Sequence, residues 1–166
     1  YYAEGLAWWY RRTGDPEALS ALRDLIAFIE IETQNHVPGQ DHWLGDGRGI
    51  GRQLLGACAV WDIDPDPRWA ALVAKLTGLV LQSPNWHPTY GVYMNPDVPG
   101  ELAASPLHIA KVAMGLMESH RRWPQQGIID RLRAIGDFTV NHAIHPVLQS
   151  GARRIFLMPP DIDHPM

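Results

Sequence analysis

Apolar and polar positions fall into runs of helical period, cut by short breaks. In "ALSALRDLIAFIE" the residues Leu19, Leu22, Leu25, Ile26 and Ile29 share one face, while Arg23, Asp24 and Glu30 lie elsewhere. "IIDRLRAIGDFTV" is amphipathic in the same way. "EGLAWWY", "GIGRQLLGACAVW" and "SPLHIAKVAMGLM" differ: they are almost free of charge around the whole circumference and rich in Gly and Ala. A helix that is apolar all round is buried all round, and small residues permit close approach. The breaks are Gly14-Asp15-Pro16, Asp64-Pro65-Asp66-Pro67 and Pro124 to Gly127. Asp15-Pro16 and Asp66-Pro67 read as an N-cap followed by Pro at the first helical position, and Ser105-Pro106 makes a third such start. The pattern predicts six helices, over 2–13, 16–32, 48–62, 67–82, 105–122 and 127–143.

The connections alternate in length. Very short turns join helices one and two, three and four, and five and six; long segments, 33–47, 83–104 and the tail after Ala143, lie between and after these pairs. Short connections imply antiparallel neighbours. The expected fold is therefore all-α: three α-hairpins in two layers, with the odd-numbered helices inner and the even-numbered ones outer. All long segments then emerge on one side, at the N-terminal ends of the inner helices. Leu54, Leu55, Ala59, Ile109, Val112, Met114 and Leu116 are expected to be buried, and Arg23, Asp24, Arg131 and Arg133 exposed. The repeat domain covers 1–145. The segment 146–166 reads as an extended tail that leads to a further domain or lies over the loop face. The chain opens at Tyr1 directly inside a helical run, so a piece of a longer protein is expected.

Composition narrows the function. Hydrophobic residues make up 46% and charged residues 19% of 166, which fits a folded globular domain. With a net charge of −4 and no basic run, nucleic acid is a poor partner. No apolar stretch approaches the roughly 20 residues that span a bilayer. The single Cys58 excludes an internal disulfide and a cysteine-based zinc site. Trp is the outlier, with seven.

Ring-bearing residues concentrate in a segment that neither helix nor strand suits. "SPNWHPTYGVYMNPDVPGE" contains four prolines, yet places Trp86, Tyr90 and Tyr93 within eight residues, beside His87. The other long segment, "QNHVPGQDHWLGDGRGIGR", contains Asp41, His42, Trp43, Asp46, Arg48 and Arg52. Glu4 is the one carboxylate on the apolar first helix. If these groups rim one cavity, aromatic faces and nearby carboxylates and arginines suit a sugar, which has a C–H face and a hydroxyl rim. Helix N-termini add free N–H donors there. A hydrolase needs two carboxylates, for which Asp41, Asp46, Glu4 and Glu101 are the candidates. A uronate lyase needs a base, from His42, His87 or Tyr90, and a charge stabiliser, from Arg48, Arg52 or Asn95. Asp41, His42, Asp46, His87 and Tyr90 are thus the catalytic candidates, and Glu4, Trp43, Arg48, Arg52, Trp86 and Tyr93 the binding ones. Plainer roles compete: an N-cap for Asp46, end plugs for Trp43 and Trp86, ordinary surface positions for His42 and His87. His142 and His145 lack a third ligand, so neither metal nor cofactor is expected. "GDGRGIG" follows no predicted strand and so fails as a dinucleotide fingerprint.

The inner-and-outer pattern, and the run "YYAEGLAWWYRRTGDPEALSALRDLI" in particular, resembles the (α/α) toroid group of carbohydrate-active enzymes, the toroidal glycoside hydrolases and polysaccharide lyases. The resemblance covers about residues 1–145 and is architectural. It implies a partial toroid of three hairpins and a carbohydrate partner, with cleavage of glycosidic bonds by hydrolysis or uronate β-elimination. It also implies further domains or subunits that complete the ring. The alternative is a non-catalytic helical-repeat stack that binds a protein or a glycan.

Overall fold

The computed structural model describes residues 3–36, 46–98, 101–103 and 106–143. Among them are six helices: α1 (Ala3–Thr13), α2 (Pro16–Gln34), α3 (Gly47–Trp61), α4 (Pro67–Gln82), α5 (Pro106–Arg122) and α6 (Gln126–Asn141). Between α4 and α5 runs a two-stranded antiparallel ribbon, β1 (Asn95–Val98) and β2 (Glu101–Ala103). The helical character expected from the periodicity is present. The ribbon is a departure, since the prolines of this segment argued against a strand. Asn95 still pairs across to Ala103 and Val98 to Glu101, with an irregular register between, so the ladder passes the proline at 96. The tail, Tyr1 and Tyr2 lie outside the described residues. No helix among the described residues is long and apolar enough to cross a membrane.

Local signals start the helices as read. Asp15, Asp46 and Asp66 stand in extended conformation, and each side chain accepts the N–H two residues on, from Glu17, Arg48 and Arg68, at 2.9 Å in every case. This satisfies donors that the first helical turn leaves open. Gly14 carries the chain from α1 to α2 at φ 69°, a left-handed value that an L side chain resists.

α3 is the centre of the fold. Eleven of its fifteen residues are buried, and it packs on α1, α2, α4 and α5. Its closest partner is α5. A side chain at Gly51 would collide with the Lys111 carbonyl group and stand 2.8 Å from the Val112 nitrogen, and one at Gly115 would stand 2.9 Å from the Gly51 oxygen. Backbone meets backbone here. Gly47 adjoins His108 and Val112, Gly51 adjoins Lys111, and Asp62 at the end of α3 binds Arg122 at the end of α5, so the two helices run parallel. Ala3 against Gly56 and Arg11 against Asp62 set α1 parallel to α3 as well. Each even-numbered helix packs on the odd-numbered one before it and buries one apolar stripe, as in Leu22, Ile26 and Ile29 of α2. Thr77 and Ser119 join α4 to α5 by a buried 2.8 Å hydrogen bond.

Enclosure is less complete than the pattern predicted. Leu54, Leu55, Ile109, Val112 and Leu116 are buried, but Ala59 is only half-buried and Met114 is 43% exposed. On α1 only Ala3 and Ala7 are buried, while Trp8 is 59% exposed. α1 and α5 flank α3, and the faces they turn to the groove between them, with Trp8 from α1 and Met114 and Met117 from α5, are left open. Arg23, Asp24 and Arg133 are exposed as expected. Arg131 is not: its guanidinium lies 4.4 Å over the Trp86 ring and donates to the Leu81 carbonyl at 3.3 Å.

Two glycines separate close approach from mere helix propensity. Gly51→Ala adds a methyl where the Lys111 backbone stands and should cost about 3 kcal/mol, at the upper end of overpacking. Gly78→Ala on α4 meets nothing within 4 Å and should gain about 0.5–1 kcal/mol from propensity. Urea denaturation of both variants measures the opposite signs.

Candidate functional site

The segment between α4 and β1 folds back on itself rather than lying open. His87 N–H donates to the Val92 carbonyl at 2.8 Å, Gly91 N–H to that of His87 at 2.8 Å, and Met94 N–H to that of Asn85 at 2.7 Å. Gly91, at φ 63°, makes the reversal. Trp86 and Tyr93 form a bridge, and their rings meet edge to face at 5.2 Å. Trp86 is 7% exposed and Tyr93 1%. The Trp86 indole N–H donates to the Val80 carbonyl at 2.7 Å, the last turn of α4. The Tyr93 hydroxyl accepts from Ser83 at 3.2 Å, and burial holds its pKa above the usual phenol value. These two rings belong to the core. The expectation that they form an open platform is corrected: the loop carries its own turns, so its aromatics reach the interior.

His87 and Tyr90 take a different position in the same loop. Their rings stack at 4.8 Å, and Tyr90 also meets Phe138 and His142 at the end of α6. His87 Nδ1 accepts the N–H groups of Thr89 and Tyr90 at 3.1 Å, which closes the turn. These two candidates therefore sit against α6 and not against Asp46.

Asp46 lies at the N-terminal rim of α3, in its cap position. Its carboxylate is 3.7 Å from His108 Nε2, in the first turn of α5, and 3.8 Å from Arg48 Nε. Arg48 is exposed and Arg52, a turn deeper, is half-buried. Tyr93 underlies this rim, for its Cδ1 is 2.9 Å from where a side chain on Gly47 would begin. Asp41, His42 and Trp43 lie outside the described residues. Asp46, Arg48 and Tyr93 thus share one end of the molecule, and His108 joins them. The sequence offered His108 only as one uncharged position on an apolar helix.

Glu4 lies elsewhere. It lines a groove of about 480 Å³ between α1 and α5, floored by α3. Each helix contributes one stripe at helical spacing: Glu4, Trp8 and Arg11 from α1; Leu55, Ala59 and Asp62 from α3; Met114, Met117 and Arg121 from α5. The nine residues from Asp46 to Leu55 put the rim about 13 Å along α3 from the groove's nearest α3 residue. The structure therefore separates what the sequence expected as one cavity into a rim and a groove.

The groove ends in an ion cluster. Asp62 accepts from Arg11 at 3.0 Å and from Arg122, which it grips with both oxygens; Arg121 approaches at 3.5 Å. Glu118 accepts from Arg122 at 2.7 Å and Arg121 at 2.9 Å. Burial opposes ionisation of Asp62 and Glu118, but the guanidinium hydrogen bonds and charges outweigh it and hold both carboxyls below their usual range. Asp64, two residues on, pairs with Arg23 at 2.6 Å. The acids of "DIDPDP" thus divide the contacts among them. Asp62 ties α1 to α5, Asp64 holds α2, and Asp66 caps α4. The alternation of acids was the available signal. Burial pushes the Cys58 thiol up to about 12, which makes it unreactive as a nucleophile. No group of three metal-binding side chains occurs among the described residues.

Comparisons with protein-family models, curated proteins and solved structures found no match to this chain.

Two outcomes follow from these contacts. Trp86→Ala should cost about 3–5 kcal/mol in a thermal or urea melt, as for a large core ring. Asp62 and Glu118 stay ionised in the folded chain at pH values where free carboxyls already take up protons. Their stabilisation is complete at neutral pH and is lost as pH falls below about 4. Asp62→Asn should lower stability at pH 7 by about 1–3 kcal/mol and flatten that acid limb, which urea melts at several pH values would register.

Proposed function

We propose that this chain is a carbohydrate-binding arc of three α-hairpins, α1–α2, α3–α4 and α5–α6, with the odd-numbered helices as its inner wall. The parallel packing of α1, α3 and α5 supports this reading, for the inner helices of a partial (α/α) toroid run side by side in one direction. The observation that carries the binding role is the groove on that wall. Trp8 presents an open ring there, Met114 and Met117 face it from α5, and Glu4, Arg11 and Arg121 supply hydrogen-bonding groups at the margin. A sugar ring needs an apolar face to stack on and a polar edge to bond its hydroxyls.

The groove is read as a binding surface. Asp62 and Glu118 are engaged by arginines and held ionised, whereas a glycosidase needs one carboxyl that keeps its proton.

Calorimetric titration with a panel of neutral and uronate-containing oligosaccharides tests the proposal. Trp8→Ala should weaken binding at least tenfold, about 1.4 kcal/mol. Its thermal melt should change little, because the ring is largely in solvent. Absence of binding to every member of the panel would overturn the carbohydrate reading.

A further inference from the structure

We propose that the groove between α1 and α5 takes a neutral saccharide by its adjacent hydroxyls and turns uronates away. This rests on the carbohydrate reading and names the class of sugar. Where the groove ends in its ion cluster, two guanidiniums each stand beside a carboxylate: Arg11 Nη2 is 3.0 Å from Asp62, and Arg121 Nη2 is 2.9 Å from Glu118. The arginine side chains are 52% and 63% exposed and the carboxylates 24% and 38%, so both members of each pair are open to a ligand. Both arginines bond through Nη2, and their Nε and Nη1 groups have no partner among the described residues. Donor and acceptor therefore lie side by side, twice. A hydroxyl both donates and accepts, so two neighbouring hydroxyls fit such a pair. A ligand carboxylate only accepts, and it would meet Asp62 and Glu118 together with the arginines.

Charge decides the class. The charged residues that line the groove are Arg11, Arg121 and Arg122 against Glu4, Asp62 and Glu118, so the lining sums to zero. The parallel helices α1, α3 and α5 all end at the cluster: Arg11 is in the last turn of α1, Asp62 is the C-cap of α3, and Arg122 closes α5. Each C-terminus carries about half a negative charge. Arg12, 5.8 Å over the Trp8 ring, adds a cation near the groove, and the three helix ends offset it. An incoming anion thus gains no net attraction, gives up its water, and lies against two fixed carboxylates. A neutral sugar avoids that cost. Trp8 is one turn before Arg11 on α1, so a sugar stacked on the indole brings its hydroxyl edge to the first pair.

The test sets β-1,4-linked tetrasaccharides of mannose and of glucose beside the uronates of the same linkage, each titrated calorimetrically at pH 7. In at least one pair the neutral member should bind at least about tenfold more tightly than its uronate. Its Kd should change less than about twofold between low and high salt, because no net charge is neutralised. Arg121→Gln should weaken neutral binding about tenfold with the melt unchanged, since the side chain is largely in solvent. Glu118→Gln, if it folds, should strengthen uronate binding at least about threefold, because it removes one of the two repelling carboxylates. Uronates that bind as tightly as their neutral partners, or that lose more than them in Arg121→Gln, overturn the selectivity while the carbohydrate reading stands. Neutral binding that Arg121→Gln leaves unchanged overturns the paired-hydroxyl site. If neither member of any pair binds, the carbohydrate reading falls and the inference falls with it.

Discussion

The backbones of α3 and α5 touch, and they do so because Gly51 presents only hydrogen to the Lys111–Val112 peptide and Gly115 only hydrogen to the Gly51 carbonyl. At these two positions no side chain fits, and the contact fixes the helices' direction, separation and register together. Once it is made, His108 stands beside Asp46 at one end and Arg122 beside Asp62 at the other. The rim and the floor of the groove are two ends of a single alignment.

The charged end shows how little of that alignment is left to apolar packing. Arg122 is nearly enclosed, and a guanidinium in that position demands carboxylates with good geometry. Asp62 and Glu118 supply them, and Arg11 and Arg121 offset the remaining negative charge. The three arginines also stand near the C-terminal ends of α1 and α5, where cations are favourable. The cluster acts as a polar clasp across three helices, and it lets the groove above it keep an apolar wall.

What was legible in the sequence was whatever local chemistry decides. Asp15, Asp46 and Asp66 cap helices because a carboxylate before a helix start satisfies its first N–H groups wherever the fold places it. The uncharged circumference of α3 likewise announced an enclosed helix. The same reasoning misled for α1 and for Met114, since an uncharged face says only that burial is permitted, and the neighbour that buries it is a tertiary fact. Trp86 and Tyr93 were misread for a related reason. Prolines ruled out regular structure around them, but irregular backbone can still bury its rings when its turns satisfy its own amides, as those at His87, Gly91 and Met94 do. His108 and Asp62 escaped notice because their partners lie about sixty residues away, and periodicity carries no information at that range.

That separation bears on how the chain reaches its fold. α1 with α2, and α3 with α4, are joined by turns of a few residues, and such contacts form quickly because little loop entropy is lost in closing them. The contact between Gly51 and Gly115 and the clasp from Asp62 to Arg122 close loops of about sixty residues and come at a greater entropic cost. Until α5 arrives, the small-residue face of α3 has no partner and is a surface on which two unfinished chains can meet. Assembly is therefore most vulnerable after four of the six helices have formed, and the glycines that make the finished packing tight are the residues that leave the unfinished one sticky.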